Sequence, residues 1–173
     1  MRTVGLGFPP AELEAVIERR RACGGDRYDE VWEGEYHMAP AAHPFHGYLD
    51  QQVAVLLQAL VERAGLVGTG PFNLGTLEDY RVPDRGLHHE LPLTTWVPTA
   101  AVVVEIISPD DETWDKLAFY AAHRVEEVLV VDRGARRVTW LARSGPSYRE
   151  VPASGLLGVS AADLARQISW PPD

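Results

Sequence analysis

The sequence predicts an α/β fold, a mixed central β-sheet flanked by helices. Three observations carry that expectation. A long apolar stripe of helical period runs from Pro44 to Ala64. A β-branched run, Ala101 to Ile107, has the profile of a strand buried on both faces. Helix-like and strand-like segments alternate along the chain, which favours sheet-and-helix layers over a bundle or a sandwich.

The elements follow in order. Leu13, Val16 and Ile17 keep an i, i+3, i+4 spacing behind Pro9-Pro10 and predict a short helix ending near Cys23-Gly24-Gly25. Tyr28 to Met38 predicts two short strands turning at Glu33-Gly34. The long stripe comprises Phe45, Tyr48, Leu49, Val53, Leu56, Leu57, Leu60 and Val61, with Gly65 closing the helix. From Leu66 to Leu87 the chain is broken by Gly68, Gly70, Pro71, Gly75 and Pro83, which predicts short strands and turns. Leu91 to Pro98 reads as a loop. The strand Ala101 to Ile107 ends at Ser108-Pro109, and Trp114, Leu117, Ala118 and Ala121 mark another helix, with Ser108 or Asp110 as its cap. Val128 to Asp132 and Arg137 to Leu141 are strands around an Arg133-Gly134 turn. A weaker strand lies near Tyr148 to Val151, and a last helix, Ala161 to Ile168, follows Ser160 as N-cap. Residues 1–27 form an N-terminal helix and extension, and residues 28–170 form one domain.

Composition narrows the function classes. The chain has 173 residues, 46% hydrophobic, with 25 Asp and Glu against 16 Lys and Arg. A formal net charge of -9 argues against a protein that coats nucleic acid through phosphates alone. Single Cys23 supports neither an intrachain disulfide nor a cysteine zinc site. Met1 to Pro10 lacks the apolar core of a secretory signal, and no run approaches the roughly 20 apolar residues of a membrane helix. The expected compartment is the cytoplasm, with no membrane partner. Of the basic residues, only Lys116 is lysine; the others are all arginine.

The chemistry centres on charge in unusual places. Glu105 is the one charged residue in the Val102–Ile107 run, where an unpaired carboxylate is costly. Two readings are open: it pairs with an arginine or meets solvent, or it is functional. Asp84 follows Pro83 at the end of a short strand, where Pro-Asp is also a common turn. Lys116 lies on the helix after the Glu105 strand, beside Tyr120 at the rim of the helical wheel. Two acids and a lysine suit metal-assisted phosphodiester hydrolysis: the acids hold Mg²⁺, and the ammonium orients water or offsets charge on the phosphate. Glu35 and Glu33 offer a further carboxylate from the hairpin, and His46 opens the long helix nearby. The histidines match no zinc spacing, and Gly65 to Gly75 lacks the ending of a phosphate loop. Arg133, Arg136, Arg137, Arg143 and Arg149 gather on the C-terminal strands, either as a solvated face or as a patch that tracks phosphates.

These residues resemble a known family. Pro83-Asp84, Val104-Glu105-Ile106-Ile107-Ser108-Pro109, Asp115-Lys116-Leu117 with Tyr120, and Glu127 to Asp132 resemble the Uma-two family of restriction endonuclease-like proteins, in the PD-(D/E)XK nuclease superfamily. The likeness extends to Val31–Tyr36, Pro44-Phe45-His46, Arg137-Val138 and Ser154-Gly155-Leu156. It implies a restriction endonuclease-like core. It also implies Asp84 and Glu105 as metal-binding acids, the Ile106 carbonyl as an extra ligand, and Lys116 as the catalytic lysine. The superfamily places that lysine two residues after the second acid; Ile107 stands there, and in this family the lysine moves to the following helix. The implied cofactor is Mg²⁺, with Mn²⁺ as a substitute, and the implied partner is nucleic acid, DNA in the first instance; a homodimer is the arrangement expected of an enzyme that cuts two strands. A catalytically inactive module that binds nucleic acid or a partner protein is the alternative.

Overall fold

The computed structural model describes residues 4–5, 11–40, 43–108 and 112–172. Four helices and twelve strands follow the chain as β1 (Val4–Gly5), α1 (Ala11–Ala22), β2 (Glu30–Trp32), β3 (Glu35–His37), α2 (Pro44–Arg63), β4 (Val67–Thr69), β5 (Asn73–Thr76), β6 (Asp79–Arg81), β7 (Arg85–His88), β8 (Trp96–Val97), β9 (Val102–Ile107), α3 (Leu117–Ala122), β10 (Glu127–Asp132), β11 (Arg137–Ser144), β12 (Ser147–Val151) and α4 (Ala161–Gln167).

The strands form two mixed six-stranded sheets rather than one. The first has the order β1-β3-β2-β6-β5-β8 and the second β12-β11-β10-β9-β7-β4. The division falls at Val82-Pro83-Asp84, which links β6 of the first sheet to β7 of the second. Proline has no N–H to extend a ladder, so a strand cannot run through this point unbroken. In the second sheet β9 and β10 are parallel neighbours joined through α3, and β7 is antiparallel to β9.

Period-2 alternation in β9 sets the two faces of this sheet. Val102, Val104 and Ile106 join Leu49, Val53, Leu57 and Val61 of α2 and Leu164 of α4 in one core. Val103 and Ile107 face the other way, toward Leu74, Tyr120 and Val125. Glu105 shares their side by parity, which directs it toward α3. Helix α2 starts as its sequence predicts: Pro44 opens it, and the His43 ring accepts from the Phe45 amide at 3.2 Å. Gly65, with φ 70°, closes it, and Ser160 caps α4 by accepting from the Asp163 amide at 3.0 Å.

Two local expectations change. Helix α3 begins at Leu117, and the turns before it, Asp115 N–H to Glu112 carbonyl and Leu117 N–H to Trp114 carbonyl, leave Trp114 half exposed. Among the described residues no side-chain bond caps this helix; Asp110, an expected cap, lies outside them. The predicted loop Leu91–Pro98 contributes β8, where Trp96 meets the Tyr80 ring edge-on at 4.8 Å and pairs beside β5.

Candidate active site

The site assembles where the two sheets and α3 meet. The β7–β9 register pairs Arg85 with Val104, and continued by one residue it sets Asp84 opposite Glu105. Residues directly opposite on one face lie about 4.5–5.5 Å apart at Cβ. Asp84 is held there from two sides. Its Oδ2 accepts the Ile106 amide at 2.7 Å, and its Oδ1 stands 3.1 Å from His46 Nε2 at the start of α2. Because N–H and C=O of one strand residue point to the same side, the Ile106 carbonyl shares the edge that Asp84 occupies. Next door, Arg85 forms a two-point pair with Asp50 of α2 at 2.5 and 2.9 Å, which fastens β7 to that helix.

Glu105 is 4% exposed. Tyr120 donates its hydroxyl to Glu105 Oε1, and Lys116 Nζ stands 3.3 Å from the same oxygen. Lys116 also reaches Glu30 Oε1 at 2.9 Å. Glu30 is thus the hairpin carboxylate that meets Lys116, in place of the expected Glu35 or Glu33. Among the described residues, the ion pairs of Lys116 run to Glu30 and Glu105. Glu35 lies in β3 opposite Trp32, and Glu33 is exposed at the turn with φ 51°. One sequence signal favoured Glu30: by strand parity it shares a face with Trp32, the largest apolar side chain of the hairpin.

Glu30 is rigidly held. Its Oε1 accepts the Val82 amide at 2.7 Å, and its Oε2 accepts the Trp32 indole N–H at 2.6 Å. Ring and cation contacts run on from Trp32. His37 stacks on it at 4.5 Å, the Arg81 guanidinium lies 4.3 Å from its centroid and 4.1 Å from that of Phe119, and His123 lies 4.2 Å beyond. Buried Arg81 therefore couples the hairpin that carries Glu30 to the helix that carries Tyr120. Gly75 makes room for this contact: with φ 123°, a Cβ there would come within 2.9 Å of the Phe119 ring.

The charges strain against one another. Burial pushes the Glu105 carboxyl up to about 8; Lys116 pulls it down, and Asp84 and Glu30 push it up. Burial lowers the Lys116 ammonium, but Glu105 and Glu30 outweigh it and hold Lys116 above its ordinary range. Burial, then Glu105 and Glu30, raise Tyr120 well above a free phenol. Lys116 keeps its proton between Glu30 and Glu105, and the raised Glu105 carboxyl shares that proton-rich setting with Tyr120. Beside these charges a cleft of about 130 Å³ is lined by Phe45, His46, Ile106, Ile107, Ser108 and Arg133, with Arg133 5.0 Å from the Phe45 ring.

Other acids and histidines have structural duties. Glu127 is buried and accepts from the Ser154 hydroxyl and the Gly155 amide, tying β10 to the loop after β12. Asp29 holds Arg20 of α1, Tyr36 and the Ala39 amide. His89 pairs with Glu126 at 2.6 Å on the surface, and Arg137 pairs with Glu150.

Comparison with known proteins bears on the family and the fold. The Uma2 family, described as "Putative restriction endonuclease", matches residues 19–171. This chain belongs to the Uma2 family. The match takes in the hairpin with Glu30, the Pro-Asp link and α3 with its lysine. Uma2 membership agrees with the fold: a crystal structure of a "putative nuclease belonging to DUF820" from Anabaena variabilis ATCC 29413 superposes with a TM-score of 0.67 at 14% identity. The superposition covers 80% of this chain and 90% of that one. Among curated proteins, no relative matches the chain. No helix among the described residues is long and apolar enough to cross a membrane.

Proposed function

We propose that this Uma2 protein is a Mg²⁺-dependent endonuclease that hydrolyses phosphodiester bonds in DNA. The observation that carries the reading is convergence. Asp84 at the switch between sheets stands opposite Glu105 of β9 in the β7–β9 register, and Lys116 before α3 reaches the same Glu105, although 32 residues of sequence separate the first from the last.

The donor set suits the ion. Among the described residues no three His, Cys, Asp or Glu donors form a preformed cage. Mg²⁺ does not need one: it keeps several waters and is typically held by one or two carboxylates plus substrate phosphate. Asp84 and Glu105, with the Ile106 carbonyl on the same edge, would hold it, and Mn²⁺ would substitute. When bound, it supplies an acidified water and offsets charge developing on the phosphate. Lys116 acts as a point charge beside that phosphate, a role that its held proton suits. His46 orients Asp84. Arg133, at the cleft, is placed to meet a neighbouring phosphate of the strand. Cutting both strands calls for two such sites, which a homodimer supplies.

One observation favours the second reading, an inactive nuclease-fold module. Both oxygens of Asp84 already have partners in Ile106 and His46. A cleavage assay on plasmid and linear DNA, with Mg²⁺, Mn²⁺ or chelator, decides between them. Wild type is expected to cut only with metal, and Asp84→Ala and Lys116→Ala to lose cutting. Equal activity in all three proteins, or cleavage indifferent to metal, overturns the proposal.

A further inference from the structure

We infer that Lys116 fills the second cation position of this site, with Glu30 as its positioning residue, so that the site takes one divalent ion and not two. The inference rests on the metal-dependent reading above and goes beyond it by fixing the number of ions and the reason for the lysine.

Position is the first argument. Two-metal sites hold their ions about 3.5–4 Å apart, bridged by shared carboxylates. Lys116 Nζ bridges two carboxylates in the way a second ion would, 2.9 Å from Glu30 Oε1 and 3.3 Å from Glu105 Oε1. Glu105 faces Asp84 on one side and Lys116 on the other. It would therefore serve a divalent ion together with Asp84, while it shares the Lys116 ammonium with Glu30.

Rigidity is the second. Glu30 receives the Val82 amide on one oxygen and the Trp32 indole on the other, and its side chain is 9% exposed. An acceptor pinned on both oxygens holds an ammonium at a fixed point. Without Lys116, the same oxygens are an oxygen-donor site for a hard cation.

Side-chain chemistry is the third. A chain with 16 basic residues uses lysine once, at this position. An ammonium is compact and donates in three directions, so it can bridge carboxylates that approach from β2 and β9. A planar guanidinium forks toward a single carboxylate or two coplanar ones.

The test counts ions on the full chain. Mn²⁺ titrations followed by electron paramagnetic resonance are expected to give one bound ion per wild-type chain. They are expected to give two for Lys116→Met and one again for Lys116→Met combined with Glu30→Gln. Added Mn²⁺ is also expected to raise the melting temperature of Lys116→Met more than that of wild type. Two ions on the wild type overturn the inference even if no variant folds. One ion on a folded Lys116→Met chain overturns it while leaving the metal-dependent nuclease reading intact. No ion on the wild type overturns both.

Discussion

The Ile106 amide donates to Asp84 Oδ2 at 2.7 Å, so the strand that carries Glu105 is bonded to the carboxylate it faces. One side chain thus serves two ends: its Oδ2 receives a backbone N–H that the sheet leaves over, and its Oδ1 meets His46 at the start of α2.

That dual role separates two substitutions. Asp84→Asn keeps an oxygen for the Ile106 amide, and its melting temperature is expected to stay near that of wild type. Its DNA cleavage is expected to fall by at least about 100-fold, since even groups behind the metal ligands cost 10- to 100-fold. Asp84→Ala leaves the Ile106 N–H unpaired and is expected to lose about 1–3 kcal/mol of stability as well. Parallel denaturant melts and cleavage rates check both outcomes.

Arg81 is expected to matter to the site without touching it. Arg81→Met removes a buried cation from between Trp32 and Phe119, together with its 2.8 Å bond to the Val31 carbonyl. A loss of at least about 2 kcal/mol is expected in urea unfolding. Trp32→Phe keeps a ring for the guanidinium but removes the donor to Glu30. Its expected signature is a smaller stability loss with a fall in the cleavage rate constant and little change in KM.

Burial does not make an acid catalytic, and Glu127 is the control. Ser154→Ala removes a hydroxyl that donates to Glu127 and accepts the Leu157 amide at 2.8 Å. A stability loss of about 1–3 kcal/mol is expected, with the cleavage rate per folded molecule unchanged. A selective loss of cleavage would move Glu127 into the active site.

His88 gives the fold an acid-sensitive point away from the carboxylate cluster. It is 4% exposed in β7, with Thr69 Oγ1 3.1 Å from its Nε2, and burial lowers its pKa below the ordinary 6.5. The unfolded chain therefore binds this proton first. Stability from His88 is level above about pH 7 and is lost as pH falls through 6.5 toward the lower folded value. His88→Gln is expected to flatten the decline in melting temperature between about pH 7 and 5. An unchanged slope would assign the decline to other groups.

Local pattern was enough for much of this molecule. The α2 stripe, the hairpin turning at Glu33-Gly34, the buried β9 run and the Ser160 cap all follow from spacing within a few residues, because helix and strand periods are properties of neighbouring side chains. The acids Asp84 and Glu105 were legible for the same reason: a Pro-Asp break and a lone charge in an apolar strand are local anomalies. Lys116 stood out by composition and by the family resemblance, while its helical wheel pointed to the rim.

The sequence by itself determined most of the elements and marked Asp84, Glu105 and Lys116 as local or compositional anomalies. The tertiary structure alone decided that the strands divide into two sheets at Pro83. It also decided that Lys116 turns inward and that Glu30, not Glu33 or Glu35, receives it. The physical reason is partner distance. A charged side chain is buried only where opposite charge and hydrogen bonds meet it, and for Lys116 that partner lies 86 residues earlier, on a strand of another sheet.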